Sequence, residues 1–384
     1  MTIINNILKV LFPKLNRQDS RISDDNEDAS IQTEKSSKNF EKEAIGIIKH
    51  YMEGISLPPP IPASTCSPMH VWTGICTGDI AGSKFEGGIV CGTEEEVRAR
   101  EARCVIKDEG FTFTDDSVIS AAVMAATEEI QSRMTSRHIP STMPDDDDGW
   151  IEWISMLMHT IDPPAVYTEK MREYAKRYPL AGYGGNFYYW ALFDLQGFKG
   201  GSYGNGSAMR SGTIGAFFDD IREVILFTYL SALPTHAHPE GVKGAVVTAT
   251  AVWMAAHGYS RDDIISYASH HYDSGSYMPY ASMTVDQMLA EVNPHIKLMS
   301  VTCQTAVPEA FVALNSSEDY ESSLKCTLRY PCDTDTVMAI TGGIAAALYG
   351  NVEYQGVAGE EYLKAKDALG IISSTTHRLG ADAP

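Results

Sequence analysis

The sequence predicts an all-α body. Apolar residues recur at helical spacing through most of the chain, sustained period-2 alternation is scarce, and several apolar runs are rich in Ala, Gly and Met. Two of these runs, GAVVTATAVWMAA and GGIAAAL, are apolar nearly all round, which suits helices in the middle of a large bundle. With 384 residues, 44% of them hydrophobic, the chain can bury one large core or two modest ones.

The N-terminal stretch stands apart from this pattern. Ile4, Ile7, Leu8, Leu11 and Leu15 fall at helical spacing with Lys9 and Lys14 between them, and Pro13 interrupts the run. The tract RQDSRISDDNEDASIQTEKSSKN that follows has hardly any apolar residue, too few to bury enough surface to order itself. Residues 1–45 therefore read as a flexible arm, an amphipathic segment on a polar tether, open both to a free tail and to docking on a partner. Residues 46–67 read as a connecting helix and a Pro-rich hinge containing LPPPIPAS, and 68–384 as the compact domain. Within that domain the spacing predicts helices over 116–131, 215–233, 240–257, 302–315, 334–349 and 360–369. PDDDDGW reads as a solvated loop leading into a helix.

Charge and cysteine content narrow the function classes. A formal net charge of −20 argues against a nucleic-acid partner, because phosphate binding needs a basic surface. The seven cysteines include no C-x-x-C pair and read as reduced thiols of a cytoplasmic protein. No apolar run approaches the ~18 residues of a membrane span, so a soluble protein without a membrane partner is expected.

Two acidic motifs carry the chemistry. Thr114-Asp115-Asp116-Ser117 and Asp333-Thr334-Asp335-Thr336 each open an Ala-rich helix. Capping explains one acidic residue at a helix start; it does not explain two, flanked by hydroxyls, ahead of helices that look fully buried. Packed carboxylates repel and carry a large desolvation penalty unless a positive group compensates, and neither motif contains Lys or Arg. A divalent metal is the economical answer, and oxygen-only ligands select hard ions, Mg²⁺ or Mn²⁺. A third segment, GDIAGSKFE, ends in Glu86. The loops GYGGNF and GGSYGNGS can expose successive backbone N–H groups that hold a diphosphate without net positive charge. In Thr235-His236-Ala237-His238, no Cys or second His pair completes a zinc site, so His236 reads as a substrate-contacting or capping residue and His238 as structural.

In order, GDIAGSKFE, TDDS, GYGGN, GNGSAMR, THAHPEGVKGA and DTDTVMAITGGIAAA resemble the ADP-ribosylglycohydrolase family over roughly residues 70–350. The resemblance implies a compact all-α bundle with a central two-metal site that removes ADP-ribose from modified protein side chains, arginine placed ahead of serine. It implies metal ligation by Thr114, Asp115, Asp116, Asp333, Asp335 and Thr336, and catalytic roles for Glu86, Asp115, Asp116 and Asp335. Gly184, Gly185, Asn186, Gly204, Asn205, Gly206, Ser207 and His236 are the implied ADP-ribose contacts, and Arg210 is expected to be a structural anchor. One departure is Cys332, where the family usually has glycine; its side chain either crowds the metal or packs sideways. Some relatives serve as immunity proteins, so an alternative partner is an ADP-ribosyltransferase toxin held through residues 1–45. A third reading takes DTDTV as the D-x-D-x-[TV] of haloacid-dehalogenase phosphatases, which requires a buried strand before it in an α/β domain.

Overall fold

A computed structural model of the chain describes residues 26–60, 66–86, 93–106, 110–193, 201–273, 280–291, 301–365, 368 and 370–373. The helices are α1 (Asn26–Met52), α2 (Pro68–Ser83), α3 (Glu94–Arg103), α4 (Asp115–Ser136), α5 (Asp147–Thr160), α6 (Pro163–Arg177), α7 (Gly185–Phe193) and the single turn α8 (Gly206–Met209). A 3₁₀ turn over Gly212–Ala216 precedes α9 (Ile221–His236), α10 (Pro239–Ala256), α11 (Arg261–Tyr272), α12 (Val285–Glu291), α13 (Cys303–Asn315), α14 (Tyr320–Cys326) and α15 (Thr334–Tyr349). A two-residue hairpin, β1 (Glu353–Tyr354) with β2 (Val357–Ala358), leads into α16 (Gly359–Ala365) and is the only sheet among the described residues. No helix among the described residues is long and apolar enough to cross a membrane.

The centre of the bundle is the antiparallel pair α2 and α15. Ser67 caps α2 by accepting from His70 N, and Pro68 occupies its first turn, where a missing N–H costs nothing. Gly74, Gly78 and Gly82, four residues apart, form a stripe along α2 without Cβ atoms. A Cβ would lie 2.4 Å from Gly342 O at Gly74, 2.1 Å from Met338 O at Gly78 and 2.5 Å from Asp335 Cα at Gly82. The two backbones therefore touch, which fixes the start of α15 against the end of α2. Trp72 Nε1 donates to Ser117 O at 3.1 Å and ties the start of α4 to the same pair.

Two expectations need correction, and one alternative falls. The boundary set at residue 45 falls inside α1: Phe40, Ala44, Ile45, Ile48 and Tyr51 are all buried. Their spacing of three and four residues is an apolar stripe that runs N-terminally past the hinge, with Phe40 stacked on Tyr229. The backbone is helical back to Asn26, so part of the expected tether is helix; residues 1–25, which hold the amphipathic segment, lie outside the described residues. The helix expected over 215–233 is broken. Gly215 presses on α10, where a Cβ would lie 2.2 Å from Ala249 O, and Asp220 restarts the chain as the cap of α9, accepting from Arg222 N. α9 then continues through Pro234 to His236. DTDTV opens α15 inside an all-helical body rather than following a strand, which removes the phosphatase reading.

Candidate active site

The first turns of α4 and α15 meet at the floor of a cleft of about 400 Å³. Asp115, Asp116, Asp333, Asp335 and Thr336 line that floor, and Glu86, exposed beyond the end of α2, lines it from the side. Carboxylate oxygens of Asp79, Asp116 and Asp335 lie within 4.8 Å of one another, as do those of Glu86, Asp333 and Asp335. The two triads share Asp335.

Hydrogen bonds hold these groups in place. Asp79 sits in the middle of buried α2, where its Oδ2 accepts from Thr114 N at 2.8 Å, Ser117 N at 3.0 Å and Ser117 Oγ at 2.5 Å, and its Oδ1 from Thr114 Oγ1 at 2.7 Å. With those lone pairs engaged, Asp79 acts first as the clamp that fixes the start of α4. Thr336 Oγ1 donates to Asp116 Oδ2 at 3.3 Å, and Thr336 N to Asp335 Oδ1 at 2.9 Å. Asn205 Nδ2 donates to Asp333 Oδ2 at 2.6 Å. Asp116 Oδ1 is buried and finds no hydrogen-bond partner.

Burial, and behind it the neighbouring carboxylates, pushes Asp116 and Asp335 well above the ordinary range and Asp115 up to about 8. Burial likewise raises Asp333, and it raises Glu86 with help from the Asp333 charge. Among the described residues no Lys or Arg forms an ion pair with any of these groups. The two helix N-termini cannot compensate. A helix dipole stabilises an anion by about 0.3–1 kcal/mol, against a desolvation cost of several kcal/mol for each buried charge. An orphaned carboxylate oxygen, two oxygen triads and no basic partner are the donor set that hard divalent cations satisfy.

The opposite wall is built from backbone. Gly184, Gly185 and Asn186 lie at the start of α7, and a Cβ at Gly184 or Gly185 would meet nothing within 4 Å. Gly204, Asn205 and Gly206 lead into α8. Gly204 N donates to Ser202 Oγ at 3.1 Å and Asn205 N to Val301 O at 3.0 Å, and the amides of Gly206 and Ser207 follow in the first turn of α8, where a helix makes no bond of its own to them. His236, the last residue of α9, lines this wall. His238 caps α10 by accepting from Glu240 N at 3.1 Å, the structural role expected of it.

Of the sequence-derived site residues, all but two line the cleft. Thr114 stands behind it, capping α4. The Ser207 hydroxyl turns away to donate to Gly241 O at 2.7 Å. Cys332 packs sideways, its thiol nearest Thr327 O at 3.8 Å and Thr334 Oγ1 at 3.9 Å, and does not crowd the acidic cluster. Two carboxylates escaped the sequence reading. Asp79 was legible by the same reasoning as the acidic pairs, a carboxylate inside an apolar helix. Glu309, buried in α13 with neither carboxyl oxygen partnered, is pushed well above the usual range by burial and then by Asp333.

An all-helical bundle with a shared-carboxylate floor and a glycine-lined wall in one cleft defines a class of helical proteins with an acidic site that could hold divalent cations. The ADP-ribosylglycohydrolase family model matches residues 69–353. The chain belongs to the ADP-ribosylglycohydrolase family. ADP-ribosylhydrolase ARH3 of Homo sapiens is 25% identical over 217 residues, 47% of this chain and 59% of that protein. The Gallus gallus protein of the same name is 26% identical over 185 residues, 39% of this chain and 50% of its own. The chain thus spans between half and three fifths of the length of these curated relatives. A solved ADP-ribosylglycohydrolase-related protein complex superposes with a TM-score of 0.51 at 16% identity, covering 80% of this chain and 94% of that one, a likeness of fold.

Proposed function

We propose that the chain is a metal-dependent hydrolase that removes ADP-ribose from modified protein side chains. The observation that carries this reading is one cleft whose floor holds Asp116, Asp333 and Asp335 of the two carboxylate triads and whose wall is glycine-rich backbone. A volume of about 400 Å³ is within the range of small-molecule sites and suits a dinucleotide-like ligand. The amide wall takes the diphosphate, and the acidic floor takes the distal ribose whose C1″ carries the side chain.

Asp116, Asp333 and Asp335 would hold two divalent cations, Mg²⁺ or Mn²⁺, with Thr336 and Asp115 beside them. Such cations would supply Lewis acidity at the ribose hydroxyls next to the bond that breaks. Asp79 and Thr114 keep the α4 ligands oriented, and Asn205 does the same for Asp333. Glu86, exposed at the side of the cleft with a raised carboxyl, would take a proton from water at its Oε and return one to the departing nitrogen or oxygen. Water adds OH to C1″ and H to the side chain. The floor's negative charge stabilises the oxocarbenium character that develops on the ring. Substrates with arginine and serine linkages both fit this scheme, with arginine ahead.

The test incubates the full chain with arginine- and serine-ADP-ribosylated proteins, with Mg²⁺, with Mn²⁺ and with excess chelator. Release of ADP-ribose from at least one substrate, abolished by chelator, is expected. No release from either, or full release in chelator, overturns the reading.

A further inference from the structure

The wall of the cleft contains a hydrogen-bonded chain whose direction is set at one end. Arg210, Thr235 and His236 are all buried, with Arg210 at 1% exposure. Arg210 Nη2 donates to Ser231 O at 3.1 Å and to Thr235 Oγ1 at 2.9 Å. Thr235 Oγ1 lies 2.7 Å from His236 Nδ1. A guanidinium has donors only, so its bond to Thr235 cannot run the other way. The threonine hydroxyl has one proton, and His236 Nδ1 is the acceptor the structure offers it among the described residues. Were Nδ1 to carry the proton, two donors would converge on Oγ1 and the threonine's own proton would be buried without an acceptor. Nδ1 is therefore the acceptor, and the imidazole proton sits on Nε2.

That nitrogen faces the glycine wall. A Cβ at Gly206 would lie 3.3 Å from His236 Nε2, and one at Gly204 would lie 3.7 Å from it. We propose that Arg210 and Thr235 are positioning residues that lock His236 as the Nε2–H tautomer, so that its Nε2 is an uncharged donor to a diphosphate or ribose oxygen of ADP-ribose lying against Gly204 and Gly206. The proposal rests on the ADP-ribose reading of the cleft. Burial, reinforced by the Arg210 charge, keeps the imidazole in its neutral form, in keeping with a ring that donates without adding charge. Arg210 thus does more than anchor the helix: through Thr235 it decides which ring nitrogen the ligand meets.

The test is long-range ¹H–¹⁵N correlation spectroscopy of the full chain labelled with ¹⁵N-histidine, the His236 signal being assigned by its loss in His236→Gln. In the free wild-type protein, Nε2 should be pyrrole-like and Nδ1 pyridine-like. Thr235→Val should lose that preference and weaken ADP-ribose binding about tenfold, the loss of one well-made hydrogen bond. Thr235→Ser should restore both, and Mg²⁺ affinity should stay the same in all three, a combination that a merely structural role for Thr235 would not produce. A wild-type ring protonated at Nδ1 overturns the proposal, and this readout stands even where Thr235→Val fails to fold. Thr235→Val that keeps both the tautomer and the affinity overturns it too. Wild-type protein that does not bind ADP-ribose overturns the ligand assignment and the proposed function with it, while the tautomer of the free protein still decides the relay.

Discussion

At one end of the cleft, a pair of touching helices carries a cluster of carboxylate side chains; at the other, glycine-rich backbone forms the wall, with the His236 imidazole set into it. The acidic end is rigid because Gly78 and Gly82 let α2 and α15 meet backbone to backbone, which leaves Asp335 one possible place. The glycine end is braced loop by loop, with Asn205 N on Val301 O, Cys303 N on Tyr203 O and Cys303 Sγ on Gly204 O. Carboxylates are concentrated where the touching helices hold them, while the charged group behind the glycine end is the buried Arg210, held by Ser231 O and Thr235 Oγ1. Asn205, bonded to Asp333, joins the two ends.

The largest effect should come from Asp335→Asn, because both triads share that carboxylate. ADP-ribose release should fall by about 10³-fold or more, the several kcal/mol that cation positioning contributes, and Mg²⁺ binding by calorimetry should be lost. In chelator, however, the variant should melt about 2 °C higher than wild type, since a buried carboxyl whose ionisation is opposed by burial and by its neighbours has been replaced by a neutral amide. A lower melting temperature in chelator would mean that the acidic end is not strained by its charge, and the contrast between the two ends would fail.

Next in size is Gly78→Ala. Its Cβ would lie 2.1 Å from Met338 O, backbone that cannot rotate away, so the helix pair must separate. Stability should fall by about 3 kcal/mol in denaturant titration, and cation affinity with it. The matching change at the other end, Gly184→Ala, meets nothing within 4 Å and should leave stability unchanged. Equal destabilisation by the two variants would show that the ends are not built differently.

Gly206→Val acts on the glycine end alone. Its Cβ would crowd the edge of the His236 ring at 3.3 Å, and the rest of the side chain would fill cleft space beside it. ADP-ribose affinity should fall about tenfold or more, measured as a Kd, while Mg²⁺ affinity stays at the wild-type value. A parallel loss of Mg²⁺ affinity would show that the Asn205–Asp333 bond transmits strain between the ends.

The acidic end was the more legible in the sequence, for a physical reason. Thr114-Asp115-Asp116 and Asp333-Thr334-Asp335 are contiguous, and their conflict with buried helices is visible without coordinates. Asp79 shows the same conflict, but its clamping role is not legible: its partners Thr114 and Ser117 are more than thirty positions away, and only the packing of α2 on α4 brings them together. At the glycine end the loops could be named, but which amides stay free depends on contacts from 301 and 303, outside either motif. The break before α9 was hidden because Gly215 and the apolar residues after it keep helical spacing; the close approach to Ala249 overrides that local preference. The all-α class followed from periodicity alone, whereas the start of the packed body did not, because polar residues on the outer face of α1 masked the buried stripe beginning at Phe40.

That last mismatch yields the smallest expected effect at the site. α1 lines neither end of the cleft, so truncation should separate stability from chemistry. Deleting residues 1–45 removes Phe40, Ala44 and Ile45 from the core, together with the Tyr229 hydroxyl's bond to Glu43. Loss of a buried Phe alone costs about 3–5 kcal/mol, so this truncation should melt well below wild type. Deleting only residues 1–25 leaves every one of those contacts in place and should leave the melting temperature unchanged. Mg²⁺ and ADP-ribose affinities of the folded protein should match wild type in both truncations. A shift in either affinity on removing 1–25 would mean that the N-terminal stretch reaches the cleft, and both ends would then have to be described with it in place. A melting temperature unchanged by removing 1–45 would mean that the packing of α1 contributes nothing to the body, and the boundary would return to where the composition first put it.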